Sequence, residues 1–149
     1  MLFEDDPTCE RTCAMLLVSG EGIEASEITR AFGITPTETA KAGECVGWRV
    51  SSESHDRSTN LERHIHLLLD QIEDKISVVQ ELKRRNCQVD MYCFWQGHGT
   101  SNDVGPFITP YTLRRVADFD LSMIFAFRCS EPLKAAETDR LPSPIVPSP

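Results

Sequence analysis

The strongest constraint on this chain is the alternation of apolar, strand-like runs with amphipathic helical segments between residues 12 and 128. Apolar or alternating runs predict four β-strands, at 12–19, 46–52, 88–96 and 121–128. Apolar residues at helical spacing predict one helix after the first strand, two after the second and one after the third. The order β-α-β-α-α-β-α-β favours an α+β fold: a single four-stranded sheet with helices mainly on one face, with a ferredoxin-like leading topology.

Short polar motifs predict where the helices begin. Thr59 and Glu62 have the spacing of a capping box, which predicts that Thr59 caps the second helix. Asp74 is predicted to cap the third helix. Thr109 followed by Pro110 predicts the start of the last helix, because proline is favoured at the first helical position. The polar segment TETAKAGE, which follows the first helix, is predicted to be a loop.

Composition changes near both ends of the chain and predicts three parts. Residues 1–11 form an acidic N-terminal segment, residues 12–128 a single α+β domain and residues 129–149 a proline-rich C-terminal tail. Five of the nine prolines lie in that tail, which predicts an extended, polyproline-like conformation. The start of the chain lacks the basic and apolar stretches of a signal peptide, and we expect a cytoplasmic protein.

The charge balance argues against nucleic-acid and membrane partners. The chain has 15 Lys and Arg against 23 Asp and Glu, a net charge of −8. Nucleic-acid binders gain much of their affinity from phosphate neutralisation, and the basic clusters at 83–85 and 114–115 lie at predicted helix ends that face water. No apolar run reaches the roughly 20 residues that span a bilayer. An acidic surface instead suits a basic protein partner.

The six cysteines predict reduced thiols and not a disulfide framework. Disulfide frameworks are typical of small secreted chains without a core, whereas this chain is long enough to bury one. Cys9 and Cys13 are spaced like one pair of zinc ligands, but no second pair follows. We therefore expect no metal and no cofactor.

The candidate ligand site is built from the ends of two predicted strands. If these ends are adjacent, aromatic, hydroxyl and imidazole groups would surround one pocket, as in many ligand sites. The alternative is that both tryptophans are ordinary core residues, because each alternates with polar neighbours along its strand. The candidate residues are Trp48, Ser51, Ser52, His55, Trp95 and His98.

No catalytic residues are predicted. A serine can be paired with a histidine and an aspartate on paper, but the chain lacks a nucleophile elbow of the Gly-x-Ser-x-Gly type. His64 and His66 are two positions apart on a predicted helix, about 200° around its axis, so they do not share a metal. Both histidines are predicted to lie on the surface.

Three stretches resemble a known family. They are residues 28–37 with Gly-Ile-Thr-Pro-Thr, the strand 47–52 with Trp-x-x-Ser-Ser, and the helix 61–68. In this order they resemble the bacterial family called "domain of unknown function 4279", over most of residues 12–128. The resemblance implies a small bacterial cytosolic protein, with no established activity and no catalytic residues to transfer.

We therefore expect a non-catalytic protein-interaction module, with an immunity-type or regulatory role in binding a basic partner. The alternative is a small-molecule-binding sensor or enzyme that uses an aromatic pocket near Trp48 and Trp95. A third hypothesis is a structural subunit that dimerises through an edge strand, so the chain is expected to be a monomer or a homodimer.

Overall fold

The computed structural model describes residues 3–98 and 105–129, and these form one mixed sheet with helices against it. The sheet has five strands, in the spatial order β2-β3-β1-β4-β5. Strand β1 lies in the middle and pairs antiparallel with β3 and with β4, whereas β4 and β5 are parallel. The strands are β1 (Cys9–Glu21), β2 (Glu38–Ala42), β3 (Cys45–Ser51), β4 (Gln88–Gly97) and β5 (Ser122–Cys129).

The four helices of the described residues connect these strands: α1 (Ala25–Phe32), α2 (Leu61–Gln71), α3 (Ile76–Arg84) and α4 (Pro110–Asp118). All four coincide with predicted helices. Thr109 caps α4 as predicted, since its hydroxyl accepts from the Thr112 amide. The predicted Thr59 cap is wrong, because Asn60 occupies that position and accepts from the Glu62 and Arg63 amides.

The predicted four-stranded sheet and its ferredoxin-like topology are wrong. An additional strand, β2, lies inside the segment predicted to be a loop, so the element order is β-α-β-β-α-α-β-α-β. All five residues of β2 are exposed, so the strand has no apolar alternation to reveal it. It forms because its backbone pairs with β3 across a tight turn, in which Gly43 has a φ of 62°.

The two faces of the sheet have different surroundings. The helices pack against one face, called here the covered face, which carries Leu16 and Val18 of β1 with Trp48 of β3. The opposite face, the open face, carries Leu17 and Ser19 of β1 and no helix of the described residues packs on it. Since residues directly paired across strands share a face, the strand register assigns every sheet residue to one of the two.

The acidic N-terminal segment is attached to the body of the protein. The Asp5 carboxylate accepts from the Ser58 hydroxyl at 2.8 Å and from the Thr59 amide at 3.0 Å. The Asn60 side chain donates to the Glu4 carbonyl at 2.6 Å. β1 then begins at Cys9, inside the segment that the sequence separates from the domain. Apart from Cys129, the predicted tail lies outside the described residues.

The cysteines whose side chains are described are free thiols. Burial raises the pKa of Cys93 to about 12 and that of Cys9 to about 11, which leaves both thiols protonated near neutral pH.

Among the helices of the described residues, none has the length and hydropathy needed to cross a bilayer.

Candidate functional site

The structure gathers five of the six candidate residues at one end of the sheet. This end, called here the Cys9 end, is where β1 begins and where β3 and β4 finish. Trp95 pairs with Thr12 of β1, while the Ser52 amide donates to the Ala14 carbonyl. The candidates at the Cys9 end are Ser51, Ser52, His55, Trp95 and His98.

Trp48 lies away from this group. It pairs with Val18 of β1, six residues along the strand from the position that Trp95 pairs with, or about 20 Å. Its ring stacks on Phe32 of α1 at 5.4 Å, and its Nε1 donates to the Thr29 hydroxyl at 3.0 Å. The two tryptophans therefore do not wall one pocket. Trp48 is 2% exposed and Trp95 4%, as the core alternative predicts.

Ser52 forms the first of two buried polar groups at the Cys9 end. Its Oγ accepts from the Ala14 amide at 2.9 Å and lies 2.7 Å from Nδ1 of His64. Nδ1 is the hydrogen-bond partner that the described residues offer to the Ser52 hydroxyl proton. The other imidazole nitrogen, Nε2, lies 2.7 Å from the Ser58 carbonyl and donates to it. The Ser58 carbonyl can only accept, so Nε2 of His64 carries a proton.

This serine–histidine pair is structural in form. Ser52 and His64 both have no exposed surface, so a substrate does not reach the hydroxyl. The orienting partner of the imidazole is a backbone carbonyl, whereas hydrolytic triads use a carboxylate there. The pair joins the end of β3 to the first turn of α2. The prediction that His64 lies on the surface is wrong: it takes the i+3 position after Leu61, inside the apolar stripe.

The second buried group joins α2 to α4. The carboxylate oxygen Oε2 of Glu62 accepts from the Thr109 amide at 3.0 Å, from the Thr109 hydroxyl at 2.7 Å and from the Thr112 hydroxyl. Thr112 in turn accepts from Nε2 of His66, 2.8 Å away. Nδ1 of His66 accepts from the Arg115 guanidinium at 2.8 Å. In this series of hydrogen bonds Nε2 of His66 donates and Nδ1 accepts, so the ring carries one proton and is neutral.

His66 is held on all sides. Its ring lies between Phe3 and Tyr111, with ring centroids 5.0 Å and 5.2 Å away. Burial, and then the neighbouring Arg115 charge, lower the pKa of His66 from its ordinary value. The prediction that His66 lies on the surface is also wrong, since only 8% of it is exposed. Packing of α4 against α2 causes this burial, and the pattern of α2 alone does not reveal it.

A cavity of about 320 Å³ opens at the Cys9 end beside the second polar group. Three carboxylate residues line it, Glu4, Asp6 and Glu62, and no Lys or Arg does. Among the described hydrogen bonds of the Glu62 side chain, all end on Oε2, so Oε1 has no protein donor there. The rest of the wall combines apolar residues, Pro7, Leu61, Pro106 and Phe107, with the polar residues Thr8 and Asn60. Such a cavity is suited to a cationic group carried on an aliphatic chain.

Of the remaining candidates, the two histidines lie on the surface and Ser51 is buried. His55 and His98 are exposed, and their side chains form none of the hydrogen bonds of the described residues. Ser51 is buried and accepts from the Glu53 amide at 3.2 Å. Within residues 3–98 and 105–129, no group of three or more His, Cys, Asp or Glu side chains has the arrangement of a metal site.

Comparison with known proteins returns one informative match. A family model described as "Domain of unknown function (DUF4279)" matches residues 9–130. The curated proteins and the solved structures contain no significant match to the chain.

Proposed function

The chain belongs to the Domain of unknown function (DUF4279) family, and from that premise we propose that it is a non-catalytic module that binds a basic protein partner. The family supplies no activity, so the argument rests on the site. The observation that carries the proposal is the carboxylate-lined cavity at the Cys9 end. A partner's lysine or arginine would enter it, with its aliphatic stem against Phe107 and its charge near Glu62.

The surroundings of the cavity support this assignment. The N-terminal segment beside it carries Glu4, Asp5, Asp6 and Glu10. Two arginines at this end are paired, Arg11 with Glu53 and Arg63 with Asp56, whereas Arg57 and Arg128 form none of the ion pairs found among the described residues. The wall of the cavity itself carries three carboxylates and no Lys or Arg, so the field inside it is negative. Such a field accelerates association with a positive surface and disfavours acidic partners.

The buried polar groups support a non-catalytic role. A general base has to come within hydrogen-bond distance of a substrate proton. His64 and His66, the histidines closest to hydroxyl groups, have both ring nitrogens occupied by protein partners. In our proposal the protein acts by binding to its partner, in an immunity-type or regulatory role. We place it in the bacterial cytoplasm, as a monomer or homodimer that binds neither nucleic acid nor membrane.

The test is salt-dependent capture from the native host with charge variants. The tagged full chain is used as bait at low and high salt, beside a Glu4→Lys/Glu10→Lys variant and a Glu73→Lys/Asp74→Lys control. The control reverses two exposed acids that follow α2, at the opposite end of the sheet. We expect a basic protein that is retained at low salt, bound roughly tenfold more weakly by the first variant and unchanged by the control. Equal loss in both variants, or no partner at any salt, contradicts the proposal.

A second candidate function is small-molecule sensing, and a separate observation favours it. A cavity of about 340 Å³ lies on the open face, against the part of β3 that carries Trp48 on its other side. Its volume is within the range of small-ligand sites. Thermal-shift screening with a metabolite library tests this candidate: a ligand that raises the melting temperature supports it, and a complete absence of shifts contradicts it.

A further inference from the structure

Gly47 occupies an unusual position for a glycine. It lies in the interior of β3, where glycine weakens a strand because it has the largest backbone freedom to lose and no side chain to pack. Its φ is not among the positive values in the described residues, so the backbone does not require glycine there. A glycine inside a strand often marks the close approach of a ligand or of another backbone.

Gly47 differs from glycines at which close packing leaves no room for a side chain. A Cβ added at Gly97 would overlap the Trp95 ring, so that position accepts no side chain. A Cβ added at Gly47 would meet only the Cβ and carbonyl oxygen of Ala40, at 3.8 Å and 3.9 Å, which are ordinary contact distances. A side chain therefore fits at position 47. Because Gly47 has no side chain, the space above it forms part of the cavity on the open face.

This cavity, called here the Gly47 slot, crosses several strands. Its floor is a row of small residues paired across β2, β3 and β1, namely Ala40, Gly47 and Ser19. The neighbouring row supplies a taller wall, with Leu17 near its centre, and Ile124 of β5 also lines the cavity. The slot thus offers an apolar surface to a flat or elongated molecule.

The charged residues that line the slot determine whether it favours a cationic or an anionic ligand. Arg49 and Glu38 both line it and form an ion pair with each other, so they contribute no net charge. Asp90 also lines it, is half-buried and forms none of the ion pairs found among the described residues. The slot therefore has one negative charge without an ion-pair partner among the described residues, beside a floor of small residues. A carboxylate that is partly removed from water interacts more strongly with a cation than one on the surface.

The strand pairing leaves no free main-chain groups for an extended peptide on β3 and β1, the two strands at the centre of the slot. β3 pairs with β2 and β1 on its two sides, and β1 pairs with β3 and β4. Peptides added to a sheet bind through the free hydrogen-bonding groups of an edge strand. The floor of the slot at Gly47 and Ser19 lies over β3 and β1, whose backbone groups are already paired, and only its margin lies on the edge strand β2, so the floor is suited to a compact ligand.

We infer that the Gly47 slot binds a small organic ammonium compound, with its apolar body over Gly47 and its protonated amine at Asp90. This inference deepens the small-molecule candidate and is independent of the protein-binding surface at the Cys9 end. It names a ligand class that the cavity volume alone does not specify.

The test uses calorimetric titration with a series of aryl- and alkylammonium probes, including phenethylammonium, and the neutral 2-phenylethanol as a matched probe. The full chain is compared with Gly47→Val, which fills the slot, and with Asp90→Asn, which removes its charge. The control is Cys45→Val, an exposed position on the same strand and the same face that does not line the slot. Ala40→Val fills the slot from the neighbouring strand and replaces Gly47→Val if that variant does not fold.

The expected result is ammonium binding to the wild-type chain and to the control, with the neutral probe at least roughly tenfold weaker. Filling the slot should abolish binding, while Asp90→Asn should weaken the ammonium probes roughly tenfold and leave the neutral probe unchanged. Failure of the whole series to bind at millimolar concentration overturns the inference, as does undiminished binding by the filled variants. If a metabolite library still yields a neutral or anionic ligand, the small-molecule candidate survives and only the ammonium assignment fails.

Discussion

The serine and histidine groups buried under the helices differ from Asp90 and Gly47 on the open face of the sheet. Under the helices, Ser52, His64 and His66 are buried, and every polar atom of their side chains has a protein partner. On the open face, Asp90 has no ion-pair partner among the described residues, and Gly47 leaves space that a side chain would fill.

The difference separates groups that support the fold from groups available for binding. A buried polar group is tolerated when its hydrogen bonds are complete, and a complete set also makes it unreactive toward a ligand. A partly exposed group with an unused charge costs little in the folded chain and remains free to interact. The three predictions below use this comparison, from the largest expected effect to the smallest.

Ser52→Ala is expected to have the largest effect. It leaves the Ala14 amide and Nδ1 of His64 without partners in a region closed to water, which should lower the free energy of unfolding by about 2–3 kcal/mol. Urea unfolding measures this loss. Ser54→Ala, at an exposed position in the same loop, is the control and should change stability by less than about 0.5 kcal/mol. Equal stabilities of the two variants would contradict the structural role of the pair.

Protonation of His66 is expected to have an intermediate effect. Its pKa in the folded protein lies below the ordinary value of 6.5, so the unfolded chain binds the proton first as the pH falls. The stability that neutral His66 contributes is therefore complete above about pH 6.5 and is lost as the pH falls through the folded-state pKa. Protonation also places a proton on Nδ1 where Arg115 donates.

His66→Gln tests this pH dependence, because glutamine retains a donor and an acceptor but does not titrate. The variant should show a flatter dependence of unfolding free energy on pH between about pH 7 and pH 5. The control is His55→Gln, which removes an exposed histidine and should keep the wild-type slope. An unchanged slope in His66→Gln would show that its protonation is not linked to folding.

Gly47→Ala is expected to have the smallest effect, with the opposite sign. The added methyl group meets only Ala40 at ordinary contact distances, and alanine has less backbone freedom to lose than glycine. We expect a gain of about 0.5–1 kcal/mol in the free energy of unfolding. Thermal and urea unfolding measure it, and a clear loss of stability would show that glycine at this position serves the fold.

Much of the fold was predictable because its elements have strong local patterns. The alternation of Val46, Trp48 and Val50 marks β3, and the spacing of Leu61, Ile65 and Leu68 marks α2. β2 has no such pattern, since its residues are all exposed and none is strongly apolar. It exists because β3 offers a free edge, which is a property of the assembled sheet.

The candidate site was predictable in part. The site prediction depended on the ends of two strands being adjacent, and the structure brings Ser52 and Trp95 to one end of the sheet but places Trp48 elsewhere, which only the strand order could reveal. The burial of His64 could have been predicted from its position in the apolar stripe of α2. The burial of His66 and Glu62 could not, because their partners Thr112 and Arg115 lie on another helix.

The sequence by itself determined the helices, the apolar strands, the net negative charge and the family, because each depends on residues near one another in the chain or on their sum. The tertiary structure decided which polar groups are saturated and which remain open. That choice depends on contacts such as Glu62 with Thr112, which are 50 residues apart. Local periodicity carries no information about a hydrogen bond between two helices, or about a cavity whose walls belong to different strands.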